Sequence, residues 1–231
     1  GHCNAVWLAA DDVEAARRNV REAMESWSQS AFFMQHYRAM LANAVIELYV
    51  GDGERAYAIV TQSWRKLVRS FLMNVQYLRA DAHFLRGRCA LAAADILRGS
   101  GPAEATRRRA LVAEARRMAR KLEREAMGWT APLASLLRAG VAQAQGRSGE
   151  AATRLRNAVK AADGAEMFLH AAAARARLGA LLADDEGRAL EGAALAWMAA
   201  QDIRVPERFV AMLAPGLDPT PRAAFAKTPA S

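Results

Sequence analysis

Apolar positions along the chain recur at alternating steps of four and three. Leu78, Ala82, Leu85, Cys89, Ala92 and Ile96 form one such stripe, and Leu111, Ala115, Met118, Leu122 and Ala126 form another. Tyr37, Leu41, Ala44 and Leu48 repeat the pattern, as do Ala56, Val60, Leu67 and Phe71, and later Leu190, Ala194 and Trp197. This spacing gathers each set on one face of an α-helix, and that face needs a neighbouring helix to cover it. Strictly alternating runs of β-branched residues are missing, so strands have no home.

The breaks between these segments resemble one another. Ala10-Asp11-Asp12-Val13-Glu14-Ala15 is echoed by Gly51-Asp52-Gly53-Glu54-Arg55-Ala56 and by Gly99-Ser100-Gly101-Pro102-Ala103-Glu104-Ala105. Gly146-Arg147-Ser148-Gly149-Glu150-Ala151 and Asp184-Asp185-Glu186-Gly187-Arg188-Ala189 follow. A Gly or Asp turn ends one helix, and an acid at the start of the next suits the positive end of its dipole. A small Ala then lets two helices approach closely. Its recurrence at Ala15, Ala56, Ala105, Ala151 and Ala189 gives a period of ~38 to 49 residues, the range of helix-pair repeats.

The pattern predicts a helix over 12–28, the second member of a pair whose first member is mostly missing. Pairs follow at 31–50 with 53–71, 74–98 with 103–126, 130–145 with 149–162, and 166–183 with 188–202, and a short helix at 206–214 closes the series. Short loops make sequential helices antiparallel neighbours, and stacked antiparallel pairs make a right-handed superhelix of the tetratricopeptide type. The expected fold is therefore an all-α solenoid over residues 1–214, its first repeat truncated, with a disordered Pro-rich tail over 215–231. A closed helical bundle is the alternative.

Composition agrees with this reading. Hydrophobic residues make up 53% of the 231 positions and charged residues 24%, as in an ordered globular chain. Four of the 7 prolines (Pro215, Pro219, Pro221 and Pro229) fall in the tail. The net charge of +8 is carried almost wholly by Arg, since Lys occurs only at Lys66, Lys121, Lys160 and Lys227. Arginine forks suit carboxylates and phosphates, though Arg in place of Lys beside abundant Ala also follows from GC-rich coding. Cys3 and Cys89, distant and in no ligand-like spacing, point to a reducing cytoplasm. No stretch reaches the ~18 to 20 uncharged apolar residues of a membrane span. The first ten residues read as the end of an element cut mid-way, as in a piece of a longer chain.

Several segments resemble the C-terminal region of large multidomain bacterial serine/threonine protein kinases of the myxobacterial type. These are Trp27-Ser28-Gln29, Gln35-His36-Tyr37, Leu48-Tyr49-Val50-Gly51-Asp52-Gly53, Ser70-Phe71-Leu72-Met73-Asn74-Val75-Gln76-Tyr77, Arg86-Gly87-Arg88-Cys89-Ala90-Leu91-Ala92-Ala93-Ala94 and Ala196-Trp197-Met198-Ala199-Ala200-Gln201. In that family a kinase domain precedes a long helical-repeat region, and the similarity spans most of residues 8–214. It implies a regulatory, docking or sensing role. No catalytic residue carries over, because the chain has no Gly-rich strand-turn-strand, no His-Arg-Asp and no Asp-Phe-Gly. Similar repeats also follow the DNA-binding parts of bacterial transcription activators.

Candidate sites are few. His2, His36, His83 and His170 are too scattered for a metal site, and Cys89 lies in an apolar stripe, so neither metal nor cofactor is expected. Arg116, Arg120 and Arg124 align on one face of helix 103–126 and could meet phosphates, but no aromatics interleave with them to stack bases. Trp27, Trp64 and Trp197 read as packing between repeats. In such stacks the first helix of each pair lines the concave groove. Gln35, Arg38 and Asn43 on helix 31–50, with Arg79, His83 and Arg86 on helix 74–98, are then the candidate groove for an acidic peptide. The sequence thus points to a non-catalytic, cytoplasmic scaffold that binds protein or peptide, with nucleic-acid binding the weaker alternative.

Overall fold

The computed structural model describes residues 4–25, 27, 31–99 and 101–217, and among these every regular element is helical. Eleven α-helices follow in order: α1 (Ala5–Ala9), α2 (Val13–Glu25), α3 (Met34–Val50), α4 (Gly53–Arg69), α5 (Gln76–Ile96), α6 (Pro102–Glu125), α7 (Thr130–Ala144), α8 (Ser148–Gly164), α9 (Phe168–Leu182), α10 (Asp185–Ala199) and α11 (Pro206–Leu213). A 3₁₀ turn at Phe71–Asn74 links α4 to α5. Each boundary lies within about one turn of its sequence expectation. Helix α1 stands in the place of the first member of the opening pair. Residues 1–3 and 218–231, which include His2, Cys3 and most of the expected tail, lie outside the described residues.

The acidic breaks act as helix caps. The Asp12, Asp52 and Asp184 carboxylates accept the backbone N–H of Ala15, Arg55 and Gly187 at 2.8, 2.9 and 2.7 Å. Gly51 (φ +87°) and Gly146 (φ +75°) take the left-handed conformation that ends α3 and α7. Elsewhere Asp11, Ala126, Glu166 and Ala183 occupy it instead, so glycine marks only some of the breaks. Of the five recurring alanines, Ala15, Ala56 and Ala151 are buried, whereas Ala105 is half-buried and Ala189 exposed. In the last pair the close approach falls two residues earlier: a Cβ on Gly187 would stand 2.6 Å from the Gly179 carbonyl oxygen.

Sequential helices pack as antiparallel hairpins, and α3, α5, α7 and α9 stand side by side as an inner row. Two apolar clusters fill the interior. One gathers Leu8, Val20, Tyr37, Ile46, Val60 and Leu85 with Met198, Ile203 and Phe209, joining the beginning of the chain to its end. The other gathers Leu91, Leu111, Leu122, Leu137 and Leu155 with Leu217.

The ends meet. The Arg204 N–H donates to the Ala9 carbonyl at 2.9 Å, and the Arg208 guanidinium pairs with Asp11 at 2.7 Å. Helix α11 packs on both α3 and α9 and so closes the inner row on itself. The chain then enters the middle of that ring. Arg88 on α5 donates to the Met212 carbonyl at 3.1 Å, and Arg177 on α9 donates to the Ala214 carbonyl at 2.9 Å. Gly216 lies against Leu91, and the Pro215 carbonyl oxygen sits where a Cβ on Gly140 would fall, 3.2 Å away. Pro215, Gly216 and Leu217 are buried, so the folded body runs past the boundary expected at residue 214.

The open concave groove expected from the sequence is therefore filled by the chain itself. Phe209, Val210, Met212, Leu213 and Leu217 are all buried there. At about 1.5 to 3 kcal/mol for each buried side chain, this plug contributes roughly 10 kcal/mol, comparable to the whole stability of a typical domain. It is a structural part, not a bound segment awaiting exchange.

Candidate partner-binding cleft

Helix α5 carries chemistry on two opposite faces. One holds Tyr77, Asp81, Phe84 and Arg88, spaced by four and three, and it faces the ring's middle. There the Tyr37 hydroxyl donates to Asp81 at 2.7 Å. The Arg88 guanidinium lies 4.5 Å from the Phe84 ring centre, and Phe84 meets His170 of α9 at 6.0 Å between ring centres. Burial, aided by Arg88, pushes the His170 imidazole down to about 4. Burial also raises the Tyr37 hydroxyl well above its usual value and the Cys89 thiol to about 12, which makes Cys89 an inert core residue.

The other face carries Arg79, His83 and Arg86. These three do not line the ring; they point outward into the seam between α4 and α6. Arg79 makes a fork-on-fork pair with Glu125 of α6 at 2.7 and 2.8 Å, which holds the Glu125 carboxyl below its usual range. Arg86 pairs with the buried Glu114 of α6, which also accepts from Arg117 at 3.0 Å and from Tyr57 of α4 at 3.5 Å. His83 is 4% exposed, makes no protein hydrogen bond and stands 6.2 Å from Trp64 between ring centres. Burial, then the charge of Lys121, pushes it down to about 4. The remaining candidates lie on α3: Gln35 and Asn43 are half-buried and Arg38 is exposed, next to Tyr77. The six residues are thus split between two surfaces. Periodicity finds the polar stripe on α5, but cannot say which side of that helix faces outward.

At one end of the seam α4 and α6 are bridged by Arg107–Glu54 and by Tyr57–Glu114. Both helices run antiparallel to α5 and hence parallel to each other, and beyond these bridges Trp64 of α4 meets His83 and Arg86 of α5. Further along α4 a shallow cleft of about 370 Å³ is lined by Thr61, Trp64, Arg65, Val68 and Arg69 of α4 and by Arg86 of α5. Trp64 is half-buried, with the Arg86 guanidinium 4.2 Å from its ring centre. Val68 is 52% exposed and Phe71, just beyond, 88% exposed.

No protein-family model, curated protein or solved structure matches the chain. The reading of the surface therefore rests on its own geometry.

Of the tryptophans expected to pack between repeats, Trp64 is half-buried against the first apolar cluster while also walling the cleft, whereas Trp27 is 42% and Trp197 37% exposed. Arg116, Arg120 and Arg124 are exposed on the outer face of α6, as their stripe implies. Among the described residues no group of three or more His, Cys, Asp or Glu side chains is arranged to hold a metal ion. No described helix is long and apolar enough to cross a membrane.

Proposed function

We propose that the chain is a non-catalytic scaffold that binds an acidic protein or peptide segment on its outer helices. It is the tetratricopeptide-like, C-terminal regulatory part of a bacterial serine/threonine kinase-type signalling protein working in the cytoplasm. One observation carries the binding reading. The ring's middle is filled by residues 206–217, so the surface left to a partner is the outer row. On that row Arg65, Lys66 and Arg69 are exposed next to the apolar Val68 and Phe71 in the sequence, and Arg116, Arg120, Lys121 and Arg124 are exposed on α6. Cations around exposed apolar anchors favour a partner that offers carboxylates and an apolar side chain. The signalling context rests on the resemblance of residues 8–214 to the kinase-linked repeats.

Selection of displayed random peptides on the immobilised chain tests the reading. Enrichment of sequences with Asp or Glu around an aromatic or aliphatic residue is the expected result. No enrichment over bare support, with single-stranded oligonucleotides bound instead and a steep linear loss of log affinity against log salt, would transfer the scaffold to nucleic acid.

A further inference from the structure

The geometry points to the cleft formed by α4 and Arg86 of α5 as the docking site for that segment. There an apolar or aromatic side chain of the partner seats on Trp64 and Val68 while flanking carboxylates meet Arg65 and Arg69. This deepens the proposed function and rests on it.

Charge complementarity selects an acidic occupant. Every charged side chain lining the cleft is basic. The acids nearest it are already engaged: Glu114 by Arg86, Arg117 and Tyr57, and Glu125 by Arg79. Arg65 and Arg69 are exposed and have no ion-pair partner among the described residues. Their forks are free to take a carboxylate in two-point geometry. Lys66 and Arg69 also complement the C-terminal dipole of α4, which accounts for the position of Arg69 but not for Arg65 beside the half-buried indole of Trp64.

The apolar part is equally specific in place. Tyr57, Thr61, Trp64 and Val68 follow one another at four, three and four residues along α4, so they form a single ridge that meets Glu114 of α6 at Tyr57 and Arg86 of α5 at Trp64. Tyr57 and Trp64 are half-buried, and the ridge emerges fully at Val68. The Arg86 guanidinium, held by Glu114, fixes the Trp64 ring from below. A rigid aromatic held in one orientation with cations around it resembles the anchor of a binding hot spot. Nucleic acid fits less well, since Trp64 is the one aromatic in the cleft lining and no second ring stands there to stack successive bases.

A fluorescein-labelled peptide with a Trp-Leu pair flanked by glutamates, titrated onto the full chain by fluorescence polarisation, tests the inference. The expected result is saturable binding weakened at least ~tenfold by R65E with R69E. The equal charge change R156E with K160E, on the outer face of α8, is expected to leave it nearly unchanged. A peptide with glutamines for glutamates is expected to lose binding to the same extent as R65E with R69E. Arg65 and Arg69 are exposed, so their replacement leaves the fold intact, which unchanged helical ellipticity verifies. Absence of binding by the acidic peptide, or equal loss in both double variants, or no loss in R65E with R69E, overturns the cleft. Peptide selection that still yields an acidic consensus would then leave the scaffold reading standing with its site elsewhere.

Discussion

His83 and His170 are held neutral by their surroundings, each pushed down to about 4 from an ordinary value near 6.5. The unfolded chain takes up protons on both below that ordinary value while the folded chain does not. Their contribution is complete above pH 6.5 and is lost as the pH falls toward 4. For the deeply buried His83, the loss between pH 7 and 5 is on the order of 2 kcal/mol. Urea midpoints measured at those two pH values are expected to fall together with the pH, and His83→Leu is expected to flatten part of that slope while keeping the midpoint at pH 7. An unchanged slope in the variant would contradict the assignment. The salt-bridged Glu123 and Glu125, both lowered by their arginine partners, destabilise the fold by protonation only at more acidic pH. At this scale the sequence was legible for Cys89, whose place in a stripe already put it in the core. It was misleading for Trp27 and Trp197. Helical spacing beside apolar neighbours does not tell a covered face from the rim of one.

The hairpins are set by small residues as much as by large ones. In the α9–α10 pair, a Cβ on Gly179 would stand 2.4 Å from the Gly187 carbonyl oxygen and 2.8 Å from the Glu191 nitrogen, so backbone must move to admit it. Nothing lies within 4 Å of a Cβ on Gly192, one turn further on the exposed face of α10. Gly179→Ala is therefore expected to destabilise by about 1 to 3 kcal/mol through overpacking. Gly192→Ala is expected to stabilise by about 0.4 to 1 kcal/mol by restricting the unfolded chain. Thermal melts of the two variants give opposite shifts; a stabilising Gly179→Ala would mean the helices are not in contact there. Element existence and boundaries were the most legible level of all, because helix periodicity and the Asp caps are local. The close approach in the last hairpin was placed on Ala189, since the recurring motif puts an Ala at that offset; Gly187 takes the position because it faces α9 directly.

For the molecule as a whole, the deciding feature is closure. Individual stripes encode hairpins, and hairpins stack, but nothing local states how far the stack curls or what fills its middle. Phe209 meets Tyr49 ring edge to face at 5.7 Å, and Arg208 reaches Asp11 nearly two hundred residues back. Contacts of that separation leave no periodic trace. The same closure explains the split of the six candidate residues. Once α11 and Leu217 occupy the concave side, Arg79, His83 and Arg86 belong to the outward seam, and the basic cleft beside Trp64 becomes the surface on offer. Closure can be measured as a distance between spin labels on Glu14 and Glu207, two exposed positions in the first turns of α2 and α11. Cys3 is replaced by serine for labelling, and Cys89 stays in place because its thiol is buried and unreactive. Strong dipolar broadening from a single short separation is the expected result; a broad distribution of long separations would show an open stack with an empty groove and contradict the account.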